Sequence, residues 1–456
     1  MKQRQLFGTD GIRGTANVHP MTSEVMLEVG RALAQVFQLG PLRDSRRRVL
    51  IAKDTRRSGY MLEDALAAGL CSMGVDVLQV GPIPTPGLAF LTADMRADGG
   101  AMISASHNPY HDNGVKFFSR DGFKLPDEIE AKIEDLMYSE ELDRRRPTGM
   151  DIGRAQRIDD ATGRYIVFLK KTFPRDLSLD GLRIAVDCAN GAAYKVAPTV
   201  LEELGAEVIR LGANPNGENI NDGVGALHPE SLASAVREYR ADLGVALDGD
   251  ADRVIMVDET GGIVDGDQTL GLCALALHRE GKLRNNKLVG TQMTNLGLEL
   301  ELAKHGIELI RTDVGDRYVV EAMREQDLPL GGESSGHVIF LDLNTTGDGL
   351  LTALQVLAHK QRTGQPLSKL MRVYEPCPQK TRSIRVTEKP PLETLGDVAN
   401  RIERAEADLH GSGRVLVRYS GTEPVVRVMV ECQDAARIDP LIEEICKEID
   451  RAIGER

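Results

Sequence analysis

The sequence predicts an α/β protein: three successive α/β units built on mixed sheets, followed by a smaller α+β unit. Three observations carry that expectation. Short runs rich in Val, Ile and Leu alternate with longer stretches of helical period, the pattern of helices layered on a sheet. The 456 residues amount to about three single-core domains of roughly 150 residues each. Clusters of Pro, Gly and Arg interrupt the alternation and divide the chain into units 1–157, 158–257, 258–374 and 375–456.

In chain order, 22–39 reads as an amphipathic helix, 48–53 as a buried strand, 60–73 as a helix, 75–80 as a strand, 87–96 as a helix and 100–104 as a strand. Segment 141–157, with Arg144, Arg146 and Pro147, breaks the apolar periodicity and closes the first unit. The second restarts with strands at 182–187 and 207–210 around a helix near 194–205, then the apolar runs 243–246 and 254–257. The third offers helices at 267–281, 296–305 and 315–326, with strands at 287–291 and 337–341. Pro376 and Pro378 flank Cys377 at the last junction. Beyond it, strands near 380–386, 414–418 and 425–431 accompany helices near 392–409 and 435–453. No fixed-period repeat is present, so likeness among the first three units would be one of topology.

A formal net charge of −13 excludes a general field for nucleic acid or an anionic membrane, and an anionic ligand would need a locally basic pocket. No apolar run approaches the roughly 20 residues that cross a bilayer. The amino terminus lacks the apolar core of a secretory signal. Cys71, Cys188, Cys273, Cys377, Cys432 and Cys446 lie far apart without a Cys-x-x-Cys pair. That spacing suggests neither a zinc site nor a disulfide framework and suits reduced thiols in the cytoplasm.

Four segments carry groups capable of chemistry. Ser104-Ala105-Ser106-His107-Asn108-Pro109 joins two apolar strands and should expose its serines, with Lys116 close enough in sequence to assist by charge. Alone, it equally suits a Ser/Asn/Pro turn. Adjacent residues of an extended loop point apart, so His107 is not expected to serve Ser106 as base. Asp248, Asp250 and Asp252 alternate in a loop followed by Arg253. Oxygen ligands so spaced suit a hard divalent cation, and the arginine suits a phosphate. Glu259 falls where a calcium loop would place its last ligand, but Arg253 occupies the glycine position and the flanks read as strands. Gly331-Gly332-Glu333-Ser334-Ser335-Gly336-His337 offers groups that match sugar hydroxyls. Arg418-Tyr419-Ser420-Gly421-Thr422-Glu423-Pro424, with Arg427 beyond, offers phosphate donors in what is otherwise a hairpin turn. The opening Phe7-Gly8-Thr9-Asp10-Gly11-Ile12-Arg13-Gly14 adds Arg13, and Lys53-Asp54-Thr55-Arg56 is a loop charge cluster that binds anions or is simply solvated.

Taken together and in this order, these segments resemble the α-D-phosphohexomutase family from Phe7 to Arg427. That family places a phosphoserine loop, a magnesium loop, a sugar-recognition loop and a phosphate-binding loop on four successive domains around one central cleft. The resemblance implies that Ser106 is the phosphoserine and that Asp248, Asp250 and Asp252 hold Mg²⁺ together with an oxygen on Ser106. It implies that Lys116 and Arg13 assist proton transfer and charge stabilisation beside the active-site Arg253. Glu333, Ser335 and His337 match sugar-contacting positions. Arg418, Ser420, Gly421, Thr422 and Arg427 match the grip on the phosphate that is not transferred.

Within the family the opening segment and the serine loop look most like bacterial members acting on glucosamine phosphate, although Ser334 stands where those commonly carry glutamine. The implied activity is interconversion of glucosamine 6-phosphate and glucosamine 1-phosphate through a sugar 1,6-bisphosphate, feeding UDP-N-acetylglucosamine synthesis. A phosphomannomutase or phosphoglucomutase is the alternative on the same residues. A non-catalytic metal- or sugar-phosphate-binding protein is the alternative of another class. A sugar phosphate as small-molecule partner, no nucleic acid, no membrane and a homodimer complete the expectation.

Overall fold

The computed structural model describes residues 6–8, 10–38, 46–144, 146–420 and 424–455. It contains four sheets, and the chain divides into two compact units, Met1–Thr291 with Ile310–Arg372, and Gln292–Leu309 with Val373–Arg456.

The first sheet is formed by β1 (Ile12–Thr15), β2 (Arg48–Lys53), β3 (Asp76–Pro82), β4 (Gly99–Ile103), β5 (Asp112–Ser119) and β6 (Ala155–Arg157), in the order β1-β5-β4-β2-β3-β6. The second, from β7 (Arg183–Asp187), β8 (Glu207–Leu211), β9 (Leu243–Leu247), β10 (Val254–Asp258) and β11 (Ile263–Val264), runs β11-β10-β9-β7-β8. The third, from β12 (Lys287–Thr291), β13 (Glu308–Thr312), β14 (Leu330–Gly332) and β15 (Val338–Phe340), runs β13-β12-β14-β15. Each combines a parallel part with a hairpin on a central strand: β4 pairs in parallel with β2 and antiparallel with β5, β9 likewise with β7 and β10, and β14 likewise with β12 and β15. The likeness among the three units is therefore topological, as expected of a chain without sequence repeats.

The central strands form because their apolar runs are buried, while edge strands such as β6 and β8 are exposed or half-buried. Every residue of β4 and β9 is buried, the signature of a strand covered on both faces. On the first sheet the helices Ser23–Gln38 and Gly59–Ser72 cross closely, and a Cβ at Gly30 or Gly69 would overlap the facing helix backbone. Sequence periodicity did not mark the helices Asp127–Met137, Ala161–Thr172, Glu230–Glu238 and Gly349–Thr363, nor β13 and β14. β14 is short and ends in two glycines, which offer no apolar pattern. The irregular segment 141–157 is more than a break, since its end forms β6 and pairs with β3.

The second compact unit is α+β. β16 (Gln379–Arg385), β17 (Gly413–Tyr419) and β18 (Val425–Cys432) form an antiparallel sheet in the order β16-β18-β17, with the helices Gly396–Leu409 and Ile438–Ile453. Val426, Val428, Val430 and Cys432 alternate into its core. The helix Leu296–Lys304 belongs to this unit. Buried Glu431 accepts from Leu296 N–H (2.9 Å) and Arg414, Arg414 also donates to Gln292 O (2.6 Å) and Thr294 O (2.7 Å), and the Asn295 side chain pairs with both backbone groups of Cys377.

In the first unit, Asp348 caps the helix Gly349–Thr363, accepting from Leu351 N–H (2.9 Å), the Tyr165 hydroxyl (2.7 Å) and Asn344 Nδ2 (3.1 Å). Burial, only partly offset by these bonds, pushes its carboxyl from 3.8 up to about 6. A raised carboxyl favours the protonated form in the folded state. Its contribution to stability is therefore fully present below about pH 4 and lost as pH rises through about 6. In urea unfolding, the stability advantage of wild type over Asp348→Asn should fall by about 3 kcal/mol between pH 3.5 and pH 7; a pH-independent difference would contradict this account.

Candidate active site

Three of the four motif segments are hairpin connections of the first unit: residues 104–111 between β4 and β5, 248–253 between β9 and β10, and 333–337 between β14 and β15. Strands supply rigid stems, so the polar groups sit at their ends on short loops. Asp248, Asp250 and Asp252 are buried, and one carboxylate oxygen of each lies within 4.8 Å of the others. They converge through a turn with Ala251 at φ 57°, not along an extended loop.

The serines are not exposed as the sequence suggested. Ser104 and Ser106 are buried, because the acidic loop lies directly against them and a Cβ at Gly249 would collide with the Ser106 carbonyl. The Ser106 hydroxyl donates to Asp248 Oδ2 at 2.6 Å. Nor is that loop extended: Ser106 has φ 50°, which brings His107 Nδ1 to 3.4 Å from its Oγ despite the two residues being adjacent. Burial, Arg253 and Arg13 push His107 down to about 4, so it is a neutral imidazole at pH 7.

Lys116, buried on β5, lies 3.1 Å from Asp10, 3.1 Å from Asp250 and 3.6 Å from Asp252. Burial opposes its charge, yet these carboxylates raise its pKa. Burial and the two neighbouring aspartates raise Asp248, whereas in Asp252 burial is outweighed by Lys116, His337 and Arg253 and the carboxyl is held low. The contacts continue as a closed ring of acidic and basic side chains. Asp10 pairs with Lys124, Lys124 with Asp316 (2.6 Å), Asp316 with His337 (3.6 Å), and His337 with Asp252 (3.7 Å), which returns to Lys116. Asp252 and Asp316 raise the His337 pKa against the effect of burial.

Arg13 pairs with Asp10, and its Nε is buried without a hydrogen-bond partner among the described residues. Arg253 is part-buried, 3.8 Å from Asp252, and its Nε is likewise without an acceptor. Burial opposes its charge, but Asp252, Asp248, Glu333 and Asp250 keep the guanidinium protonated. Glu333 accepts from Gly315 N–H (3.1 Å). Among the described residues, the buried Ser335 hydroxyl has no partner, and the buried Asp250 Oδ1 and Asp252 Oδ1 accept no hydrogen bond. Two unsatisfied anionic oxygens within a buried carboxylate triad are what a divalent cation would complete, so the donor set fits a hard metal ion. Glu259 instead accepts from Ser368, which removes the calcium-loop alternative.

In the second unit, Arg418 and Arg427 stand directly opposite each other on β17 and β18. Ser420 is buried at the end of β17, and its carbonyl accepts from Lys389 Nζ at 2.7 Å. Gly421 and Thr422 lie outside the described residues.

Sequence reasoning missed Asp10, Lys124, Asp316, Thr85 and Asn221. Thr85 donates to Asp250 Oδ2 (2.6 Å), and Asn221 donates to the carbonyls of Ser106 and Asn108. Of these only Asp10 stood within a motif already noted, between glycines and three residues before Arg13. The charge cluster at Lys53 and Arg56 is neither solvated nor an anion site. Lys53 is buried against Glu63 and Tyr60, and Arg56 is buried among backbone carbonyls of the serine loop.

Comparison with known proteins agrees with this arrangement. The chain matches the phosphoglucomutase/phosphomannomutase alpha/beta/alpha domain I over residues 4–144, domain II over 164–262, domain III over 265–377 and the C-terminal domain over 383–448. It is 58% identical over 454 residues to a phosphoglucosamine mutase of Syntrophotalea carbinolica, covering 100% of this chain and 99% of that one. A phosphoglucomutase/phosphomannomutase family protein of Burkholderia thailandensis overlays with a TM-score of 0.80 at 26% identity, covering 98% of this chain and 97% of that one. The N-acetylphosphoglucosamine mutase of Aspergillus fumigatus, in complex with GlcNAc-6P and magnesium, shares the fold at a TM-score of 0.66 and 18% identity, covering 99% and 96%. With successive matches to all four domains and end-to-end identity of this order, the chain belongs to the α-D-phosphohexomutase family.

Proposed function

We propose that this chain is a mutase that interconverts glucosamine 6-phosphate and glucosamine 1-phosphate through a phosphoserine at Ser106. The observation that carries the chemistry is the Ser106 hydroxyl buried 2.6 Å from Asp248 within the carboxylate triad, beside Lys116. The sugar rests on the full-length similarity to phosphoglucosamine mutases. In the forward half-reaction the anomeric oxygen bonds to phosphorus as the phosphorus–Oγ bond breaks, and the sugar hydroxyl proton ends on Oγ. The 1,6-bisphosphate then turns end for end, Oγ takes the 6-phosphoryl group, and the proton returns to the sugar O6.

Lys116, Arg13 and Arg253 would neutralise charge on the transferring group, while Glu333, Ser335 and His337 would hold sugar hydroxyls. Arg418, Ser420, Gly421, Thr422 and Arg427 would grip the phosphate that stays. Asp248, Asp250 and Asp252, with an oxygen on phosphorylated Ser106, would hold Mg²⁺, which supplies charge neutralisation at the phosphoryl oxygens. Fixing groups at the right distance and charge is the main demand of phosphoryl transfer, because the protein needs to supply little covalent chemistry of its own. The units 1–157, 158–257, 258–374 and 375–456 are the domains of this reading. A cytoplasmic homodimer completes it: all six cysteines are free, and among the described residues no helix is long and apolar enough to cross a membrane.

Turnover of glucosamine 6-phosphate, mannose 6-phosphate and glucose 6-phosphate with Mg²⁺ and a hexose 1,6-bisphosphate tests the assignment. Glucosamine 6-phosphate should be favoured in kcat/KM by at least about tenfold, and Ser106→Ala should lower kcat by about 10³-fold or more. Preference for another hexose phosphate would overturn the sugar, and turnover independent of Ser106 would overturn the mechanism. Asp250→Asn should weaken Mg²⁺ binding in calorimetric titration by at least about tenfold; unchanged affinity would remove the triad as the metal site.

A further inference from the structure

Arg56 is fully buried, and each of its five guanidinium donors has an acceptor. Nε donates to Asp54 Oδ2 (2.8 Å), Nη2 to Ser106 O (2.9 Å) and Asn108 O (2.8 Å), and Nη1 to Asp112 O (3.1 Å) and Pro109 O. Four of the five acceptors are thus main-chain carbonyls of segment 106–112. Asn221 Nδ2 donates to two of the same carbonyls, Ser106 O (2.9 Å) and Asn108 O (3.0 Å). Asp54 continues the connection on the other side of the serine. It accepts from the Ser104 hydroxyl (2.6 Å), whose oxygen in turn accepts from Ser106 N–H (2.9 Å). Both main-chain polar groups of Ser106 are therefore tied, directly or through one side chain, to the Asp54–Arg56 pair.

That fixing has a conformational counterpart. Ser106 has φ 50°, a left-handed setting that a serine keeps only where its surroundings over-determine it. We propose that Arg56 is the positioning residue of the reacting serine, holding its backbone so that Oγ keeps one aim whether it carries a phosphoryl group or not. This inference rests on the reading of Ser106 as phosphoryl carrier. In that cycle Oγ is leaving group in one half-reaction and nucleophile in the other. Between them it gains and loses about two negative charges beside three buried carboxylates. The force on Oγ therefore differs between the two states, since a phosphoryl dianion would be drawn to a cation held by Asp248, Asp250 and Asp252 and a hydroxyl would not, and a loop held only by its own turns would shift between them. A guanidinium stays charged at every working pH and grips carbonyls, which do not titrate, so the hold is the same in both states. Lysine cannot replace it, since an ammonium offers three donors from one point and cannot span the fork.

The test uses full-length enzyme labelled at Ser106 with a ³²P hexose 1,6-bisphosphate. Single-turnover transfer of label to the sugar phosphate is compared with its loss to water as inorganic phosphate. In Arg56→Lys the transfer rate should fall about 10²-fold while hydrolysis changes less, so the partition between sugar and water shifts toward water. KM for the sugar phosphate should stay within about threefold, because no contact to the sugar is removed. Asn221→Gly removes two donors without straining a residue at φ 58°, and should shift the same partition by about tenfold. It carries the test alone if Arg56→Lys does not fold by circular dichroism. A purely structural role would lower the folded fraction and leave the partition per labelled site unchanged, and that result overturns the inference. Wild-type enzyme that takes no label at Ser106 overturns the phosphoserine reading and this inference with it.

Discussion

Three carboxylates buried within 4.8 Å of one another cannot all be charged unless cations share the site. Two like charges about 4 Å apart repel by about 4 kcal/mol even at an effective dielectric of 20. Much of the first unit reads as a response to that constraint. Lys116 is placed against Asp250 and Asp252, Thr85 donates to Asp250, and Arg253 lies beside Asp252. The response is incomplete by design of the donor set. Asp248 retains a raised pKa, and Asp250 and Asp252 each keep one oxygen without a hydrogen bond. The residual negative charge lies beside the Ser106 hydroxyl, which donates to Asp248.

The same charges tie three hairpins together. Lys116 comes from β5, Asp252 from the loop after β9 and His337 from the loop after β14, and Asp10, Lys124 and Asp316 close the circuit. Acidic and basic members alternate around it, so removing any one leaves two neighbours short of a partner. A buried ion pair of this kind contributes little net stability against an apolar replacement, but losing one partner is costly. The ring therefore specifies relative position more than it adds stability. It fixes the loop proposed to read sugar hydroxyls against the loop proposed to hold the metal.

How much of this was legible follows from where each signal lies. The strands announced themselves through continuous apolar runs, and the three aspartates through their alternation, because both are local in sequence. β14 and four helices were not marked, since a three-residue strand ending in Gly331 and Gly332 has no pattern to detect. The ring was illegible for a different reason. Asp10 and Lys124 are 114 residues apart, and Lys124 and Asp316 are 192 apart, so no spacing rule joins them. Arg56 was expected either to bind anions or to be solvated, because a charge after a strand ordinarily does one or the other, and it is instead buried among carbonyls. Only the fold shows the carbonyls of a distant turn arriving around it.

The exposure expected of Ser106 failed for a reason that bears on how the site works. A nucleophile on a hairpin tip would face water, and a phosphoserine there would be open to hydrolysis. Here the hairpins of the first two sheets meet, and Gly249 lets the acidic backbone lie on the Ser106 carbonyl. The serine thus sits between the carboxylate triad, to which its hydroxyl donates, and Arg56, which is proposed to hold its backbone in place. Arg418 and Arg427, directly opposed across a ladder, stand on a compact unit with a core of its own. In the proposed reaction they would grip the phosphate that is not transferred, a task of charge neutralisation, whereas the proposed transfer at Ser106 would need the buried balance of carboxylates and cations that the first unit builds.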